Sequence, residues 1–265
     1  TPDELNFCLE NAAAKALFYQ DVSADAAEGA AAAEKLPRIA AGPEFDDLLT
    51  AEPAPARAHG DVEAGSVMLY TSGTTGRPKG VPRNHRAERA AAVAHVAQSM
   101  YGRGERSLGI MPYYHTMGVR SLLASALVDG MIVCLPRFDV ARCLDVIQRE
   151  GITNLFLVPT LYHDLLEAPA FKTTDVSTVR KLGFAGASMT DGLLQRLNRA
   201  FRPDLFVNHY GSSEIYTFTI EPNAPAKPGW AGRAGINQFI RVVKLAGRPG
   251  RRRRGRRNHC DAFRR

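Results

Sequence analysis

The sequence predicts an α/β domain with largely parallel strands flanked by helices. The main observation is that, from about residue 66 to 220, short apolar runs rich in β-branched and aromatic residues alternate with helical segments. Such βαβα alternation is typical of parallel sheets. A second observation is that helix "DVARCLDVIQREG" is bounded by recognisable signals, because Asp139 is a plausible N-cap and Gly151 a plausible stop.

The predicted elements follow one another along the chain. Residues 1–65 are alanine-rich, with a helical signal over "DELNFCLENAAAKALF" and a Pro/Ala-rich link, "AEPAPARAHG". Strand "SVMLY" follows the link, and "NHRAERAAAVAHVAQ" is predicted as a helix that holds His85 and His95 in structural roles. After the helix that stops at Gly151 come strand "ITNLFLVP", helix "PTLYHDLLEA", strand "VRKLGFAG", helix "MTDGLLQRLNRAF" and strand "LFVNHYG".

The charge of the chain is concentrated at one end. The 265 residues carry a formal net charge of +7, with 45% hydrophobic and 23% charged residues. Residues 246–265 contain nine arginines and one aspartate, so the other 245 residues sum to about −1. A generally basic, nucleic-acid-binding surface is therefore excluded for the body of the protein.

The cysteines and apolar runs argue for a cytoplasmic protein. The four cysteines form no CxxC pair, so we expect reduced thiols rather than a disulfide framework or a zinc site. Cys134 lies in the apolar run "MIVCLP" and is expected to be a small core residue. The longest apolar stretch contains Asp129 and Gly130 and is too short to span a bilayer, so no membrane partner is expected.

The stretch "YTSGTTGRPKG", residues 70–80, predicts a loop that binds an anion. Gly73, Gly76 and Pro78 would each weaken a strand or a helix. Backbone N–H groups freed by glycine, together with hydroxyl side chains and Lys79, suit a polyphosphate. The spacing is not that of a Walker A loop, because Pro78 stands where the second glycine belongs and no Ser or Thr follows Lys79.

This loop resembles the phosphate loop of the adenylate-forming superfamily, which includes acyl- and aryl-CoA synthetases, luciferases and the adenylation domains of peptide synthetases. Three later segments agree in order. "GIMPYYHTMG" (109–118) resembles a segment of the acyl pocket, "FAGASM" (184–189) a strand end at the adenine and carboxylate sites, and "NHYGSSE" (208–214) the Tyr-Gly-x-Thr-Glu motif. The resemblance covers roughly residues 60–245 and is greatest to aryl-CoA ligases of the 4-chlorobenzoate and benzoate type.

The resemblance implies a set of residues for ATP or AMP. Ser213 would donate to the α-phosphate, and Tyr210 would present a flat face to adenine. Glu214 would be a magnesium ligand, although a glutamate without this motif is usually a solvated surface group. Glu214, Ser213 and Lys79 are the implied catalytic residues. The implied nucleotide-binding residues are Thr71, Ser72, Gly73, Thr74, Thr75, Gly76, Lys79, Gly186, Ala187, Ser188, Asn208, Tyr210, Gly211 and Ser213.

The implied acyl pocket consists of Tyr114, His115 and Gly186. A histidine after two tyrosines is more often a satisfied, half-buried side chain, and only the resemblance favours the pocket for His115. Amino-acid-activating members usually carry an aspartate just after an aromatic residue here, and this chain does not. We therefore expect a carboxylic acid without an α-amino group, and the resemblance favours an aromatic or alicyclic monocarboxylate.

The implied reaction has two steps and three small-molecule partners. The acid reacts with ATP, aided by Mg²⁺, to give an acyl adenylate and pyrophosphate, and coenzyme A then takes the acyl group. In the family the second step needs a C-terminal lid domain with a catalytic lysine. That domain, the hinge and the ribose-binding aspartate are absent from this sequence, so we expect an N-terminal-domain fragment with little CoA ligation of its own.

The expected organisation is a partial N-terminal segment and linker (1–65), an AMP-binding core (66–245) and an arginine-rich tail (246–265). The tail has almost no apolar periodicity, so it is expected to be disordered or translated out of frame. Two other functions stay open. One is adenylation of another acid or an amino acid without CoA ligation. The other is a non-catalytic nucleotide-binding remnant whose basic tail binds nucleic acid.

Overall fold

The structure, a computed structural model, describes residues 1–50, 60–72 and 78–242. The predicted loop residues Gly73, Thr74, Thr75 and Gly76 and the predicted tail 246–265 lie outside the described residues. The chain forms two compact units, Thr1–Arg86 and Ala87–Arg265. In the described part of the chain, no helix has both the length and the apolar character needed to cross a bilayer.

Within residues 1–50, 60–72 and 78–86, the first unit has four short α-helices and two small sheets. Its helices are α1 (Pro2–Asn11), α2 (Ala24–Glu28), α3 (Ala31–Glu34) and α4 (Pro43–Thr50). Strands β1 (Leu17–Tyr19) and β2 (Arg38–Ala40) pair in parallel, and β3 (Gly65–Ser72) pairs antiparallel with β4 (Pro78–Asn84).

Two expectations for the first unit need correction. The helix predicted to reach Phe18 ends at Asn11, because Ala13 has a left-handed φ of 48° and Phe18 pairs with Ile39 in a sheet. The described residues at the two ends of the predicted loop 70–80 belong to paired antiparallel strands, in which Ser72 lies opposite Pro78 and Tyr70 opposite Gly80. Proline is tolerated there because it is the first residue of its strand.

The second unit confirms the predicted α/β architecture. Five strands run parallel: β5 (Arg106–Gly109), β6 (Met131–Cys134), β7 (Asn154–Leu157), β8 (Lys181–Phe184) and β9 (Leu205–Tyr210). Strands β10 (Thr219–Glu221) and β11 (Arg233–Ala234) extend the sheet antiparallel, in the order β11-β10-β9-β8-β7-β5-β6.

Helices α5 (His85–Gln98), α6 (Thr116–Leu127), α7 (Val140–Glu150), α8 (Pro159–Glu167) and α9 (Asp191–Phe201) alternate with these strands. The predicted caps of α7 are confirmed: the Asp139 side chain accepts a hydrogen bond from the Arg142 N–H, and Gly151 ends the helix at φ 59°. At α9, Thr190 is the N-cap and accepts from the Leu193 N–H. The local sequence therefore marks where α7 and α9 begin.

The largest core cluster packs α7, α8 and α9 against the parallel sheet. Tyr162 of α8 is fully buried, and its hydroxyl donates to the carbonyl oxygens of Leu155 and Gly183, 2.9 Å away in each case. This side chain therefore ties α8 to β7 and β8. The other large, fully buried members are Leu144, Ile147, Ile152, Leu155, Leu157, Leu165, Val179, Leu182, Leu194 and Leu197.

The prediction that Cys134 is a core residue is wrong. Cys134 is exposed, because it ends β6, which is the edge strand of the sheet. Its sulfur lies 2.9 Å from the Tyr113 hydroxyl. Cys143, one helix further along, is buried, and this burial raises the pKa of its thiol.

A buried ion pair lies beside the N-terminal ends of the parallel strands. Glu105 is buried and accepts hydrogen bonds from Lys181, Thr153 and the Gly102 N–H. Burial acts to raise the pKa of Glu105, but these hydrogen bonds outweigh it and hold the pKa below its ordinary value. The carboxylate form is therefore the one that the folded state stabilises.

We expect Gly118→Ala to destabilise the protein by about 1–3 kcal/mol, as overpacking of a filled site does. A Cβ at Gly118 would lie 2.2 Å from the Pro112 carbonyl oxygen and 2.5 Å from that of Met111, and both are backbone atoms. Urea denaturation measures the effect. The matched control is Gly192→Ala in α9, where a Cβ meets no atom within 4 Å and a gain of about 0.4–1 kcal/mol is expected. Equal stability of the two variants would contradict this packing.

We expect Glu105→Gln to cost about 3 kcal/mol at neutral pH, because it leaves the Lys181 cation without its partner. Folding lowers the pKa of Glu105. The stability that its carboxylate adds to the folded state is therefore complete above the unfolded pKa and is lost as pH falls through the folded pKa. The free energies of unfolding of wild type and variant should therefore converge in acid. Asp145→Asn, in an exposed pair with Arg149, is the control. A difference that stays constant down to pH 3 would refute the assignment.

Candidate functional site

A cleft of about 400 Å³ opens at the carboxyl ends of β8 and β9. Ligands of parallel α/β sheets commonly bind at this edge. The cleft brings together six of the predicted nucleotide-binding residues: Gly186, Ala187, Ser188, Asn208, Tyr210 and Gly211. Its apolar wall comes from core residues, namely Phe184, Met189, Leu194 and Ala224.

The first side of the cleft is formed by the segment that leaves β8. The strand ends at Phe184, and Gly186 then adopts a left-handed φ of 84°, which a side chain would disfavour. The chain passes Ala187 and Ser188 before Thr190 caps α9. Small residues along this segment leave backbone accessible to a bound ligand.

The second side is formed by the end of β9 and the turn after it. A Cβ at Gly211 would lie 1.7 Å from the Tyr216 carbonyl oxygen, so only glycine allows the chain to fold back here. The Phe218 N–H then donates to the Tyr210 carbonyl oxygen at 2.7 Å. Ser213 and Glu214 lie within this reversal, and Glu214 is exposed.

Several cleft residues were not predicted from the sequence. Lys227, Gly229 and Ala231 line the cleft, and the Asn208 amide donates to the Trp230 carbonyl oxygen at 2.9 Å. These residues come from the segment between β10 and β11, which carries no recognisable motif. The Tyr210 ring is 57% exposed, with its centroid 5.6 Å from that of Phe218. An exposed aromatic face beside small residues is suited to stacking on a flat ligand.

Only one of the three predicted acyl-pocket residues lines the cleft. Gly186 lines the cleft, whereas Tyr114 and His115 are not among its lining residues. His115 occupies the N-cap position of α6, with φ −119° and no capping hydrogen bond from its side chain. The Tyr114 and His115 rings lie 4.9 Å apart and both side chains are exposed.

The remaining predicted ATP residues belong to the first unit. Thr71 and Ser72 end β3, and Lys79 is the second residue of β4. The register pairs Thr71 directly with Lys79. The strand pair therefore presents a hydroxyl and a cation side by side.

The donor set fits a magnesium ion that is held mainly by a substrate. Within residues 1–50, 60–72 and 78–242, no group of three or more His, Cys, Asp or Glu side chains is placed to hold a metal. Mg²⁺ commonly binds through one or two carboxylates, nucleotide phosphates and water. Glu214 supplies one exposed carboxylate of that kind.

Comparison with known proteins places this geometry in a family. A family model described as AMP-binding enzyme matches residues 1–255. The 4-chlorobenzoate–CoA ligase of Pseudomonas sp. (strain CBS-3) is 35% identical over 188 residues, which are 70% of this chain and 35% of the relative. Feruloyl-CoA synthase of Amycolatopsis sp. is 28% identical over 249 residues, which are 93% of this chain and 49% of the relative.

Solved structures show the same architecture. ATP-bound MatB from Rhodopseudomonas palustris matches 95% of this chain and 51% of its own, with a TM-score of 0.82 and 25% identity. The inhibitor-bound N-terminal domain of FACL13 from Mycobacterium tuberculosis matches 94% of this chain and 64% of its own, with a TM-score of 0.84 and 25% identity. The chain thus spans about a third to a half of the length of the curated relatives named above. Its second unit has the mostly parallel sheet of the N-terminal domain of adenylate-forming enzymes, and the chain belongs to the AMP-binding enzyme family.

Proposed function

We propose that this chain binds ATP and a carboxylic acid and takes part in forming an acyl-CoA through an acyl adenylate. The observation that carries the proposal is the cleft, because it gathers six residues from two separate motifs at the carboxyl edge of β8 and β9. The family match and the CoA-ligase relatives support the same chemistry.

In the first step, an oxygen of the acid attacks the α-phosphorus of ATP, and the bond to the leaving pyrophosphate breaks. Tyr210 and the small residues at 186–188 hold adenosine, which fixes the α-phosphate relative to the acid. Ser213 donates a hydrogen bond to an α-phosphate oxygen as charge develops there. Positioning and electrostatic stabilisation are the main contributions of the protein.

A bound Mg²⁺ would neutralise phosphate charge and favour the departure of pyrophosphate. Glu214 is the residue that would hold it, and the resemblance assigns Lys79 to guiding the phosphates. In the second step, the thiolate of coenzyme A attacks the acyl carbonyl carbon, and AMP leaves with the bonding electron pair. The products are then a thioester, AMP and pyrophosphate.

The substrate that we propose is an aromatic or alicyclic monocarboxylate. Two relatives are named for aromatic acids, 4-chlorobenzoate and ferulate. Tyr114 and His115, at the start of α6, would contact the ring of the acid. The protein would act in the cytoplasm, in keeping with its unpaired cysteines at the described positions Cys8, Cys134 and Cys143.

We expect Glu214→Gln to slow magnesium-dependent ATP–pyrophosphate exchange by at least about 100-fold, the scale of losing one electrostatic contact to a transition state. Glutamine keeps the size of the side chain but removes its charge. Glu167→Gln is the matched control, because Glu167 is an exposed carboxylate at the end of α8 that pairs with Arg196 and does not line the cleft. Circular dichroism should show both variants folded. Wild-type exchange by Glu214→Gln would remove this residue from the site.

We expect His115→Ala to raise the KM for the acid more than the KM for ATP. The reason is that His115 is assigned to the acyl group and not to the nucleotide. Steady-state pyrophosphate release with benzoate and ATP measures both constants, and His163→Ala, an exposed histidine of α8, serves as the control. Equal changes in the two constants, or a clear preference for palmitate over benzoate, would count against the assignment.

A further inference from the structure

Three basic side chains are buried together between the sheet and helices α5 and α6. His95 of α5, Arg120 of α6 and His209 of β9 are 1%, 3% and 2% exposed; we call them the His–Arg cluster. The two imidazole rings lie 5.3 Å apart, and both pack against Phe156 of β7. From the sequence, His95 is expected to be structural, and neither Arg120 nor His209 is expected to have a role.

Five nitrogens of the His–Arg cluster lack hydrogen-bond partners among the described residues. Both ring nitrogens of His95, both of His209, and Nε of Arg120 are buried without a partner among the described residues. Arg120 donates one hydrogen bond, from Nη1 to the Thr217 hydroxyl, and its guanidinium lies 4.6 Å from the Phe156 ring centroid. Buried polar atoms in folded proteins are almost always hydrogen-bonded, and each neutral imidazole carries one N–H, so three of these five nitrogens are donors that lack an acceptor.

The protonation states of the three side chains show which kind of partner the cluster needs. Burial lowers the pKa of Arg120 to about 10, so the guanidinium stays charged at neutral pH. Burial, followed by the charge of Arg120, holds the pKa of both histidines well below the ordinary value, so both are neutral. The cluster therefore offers one cation and one N–H from each imidazole, and an oxygen acceptor is their natural complement.

The cluster adjoins the segments that we assign to the reaction. His209 belongs to the cluster and also lines the cleft. Arg120 lies on α6 five residues after His115, and its partner Thr217 follows the turn that holds Ser213 and Glu214. The cluster is therefore connected to both segments: Arg120 lies on the helix that His115 begins, and it donates to Thr217, which follows the turn with Ser213 and Glu214.

We propose that the His–Arg cluster recognises an oxygen substituent on the acid, at the end remote from the carboxylate that reacts with ATP. This inference rests on the proposed function and specifies its substrate class as a ring acid with a hydroxyl or carbonyl oxygen. An apolar substituent leaves the donors unpaired, whereas an oxygen satisfies them. Sites built to hydrogen-bond a substrate group discriminate strongly against analogues without it.

Calorimetry on the 265-residue chain with AMP present tests the inference. The probes are 3- and 4-hydroxybenzoate, each compared with the methylbenzoate of the same substitution, because hydroxyl and methyl groups are similar in size. We expect at least one hydroxy acid to bind about 10- to 100-fold more tightly than its methyl counterpart, as for a hydrogen bond to a charged group. Arg120→Met should reduce that ratio to below about 3-fold and leave the Kd of AMP unchanged.

Two further variants separate recognition from folding. Arg120→Lys keeps the charge and should retain part of the discrimination. His209→Leu removes one donor from another element, and it tests the inference if Arg120→Met does not fold. A chain that binds no AMP would overturn the proposed function together with this inference. Binding of AMP and of all four acids without discrimination, or discrimination that survives both Arg120→Met and His209→Leu, would overturn only the inference.

Discussion

The parallel pairing of β8 with β9 is the interaction on which the candidate site depends. Its register sets Phe184 opposite Asn208 at the ends of the two strands. The segment 186–188 and the residues Tyr210 and Gly211 therefore leave the sheet side by side and enclose one cleft. Strand β9 also carries His209 to the opposite, helix-covered region of α5 and α6, so one strand joins the cleft to the His–Arg cluster.

Much of the second unit follows from local sequence. The caps Asp139 and Gly151 fix α7, and the apolar runs around Leu155 and Leu182 form the buried strands. The features of this unit that the sequence did not predict have a common cause, because each depends on strands that pair with partners distant in sequence. Strands β10 and β11 are two or three residues long, and the exposed Cys134 ends β6, which is the last strand of the sheet in the described part of the chain.

The site was predictable only where a motif marked it. The residues from 186 to 188 and from 208 to 211 belong to recognisable segments, and the structure brings them together. Lys227 and the Trp230 carbonyl have no motif, because their role depends on how the chain returns beside β9. The His–Arg cluster also has no sequence motif. In the sequence Arg120 is a single charge in an apolar helix, and only the tertiary structure shows that it is buried next to two neutral histidines.

The central claim is that the cleft between the ends of β8 and β9 holds the adenosine of ATP. A crystal structure of the chain grown with AMP tests it most directly, because AMP needs neither the acid nor coenzyme A to occupy that part of the site. We expect adenine against the Tyr210 ring, bordered by backbone at Gly186 and Ala187 and by Asn208. AMP bound elsewhere, with this cleft empty at saturating nucleotide, would contradict it.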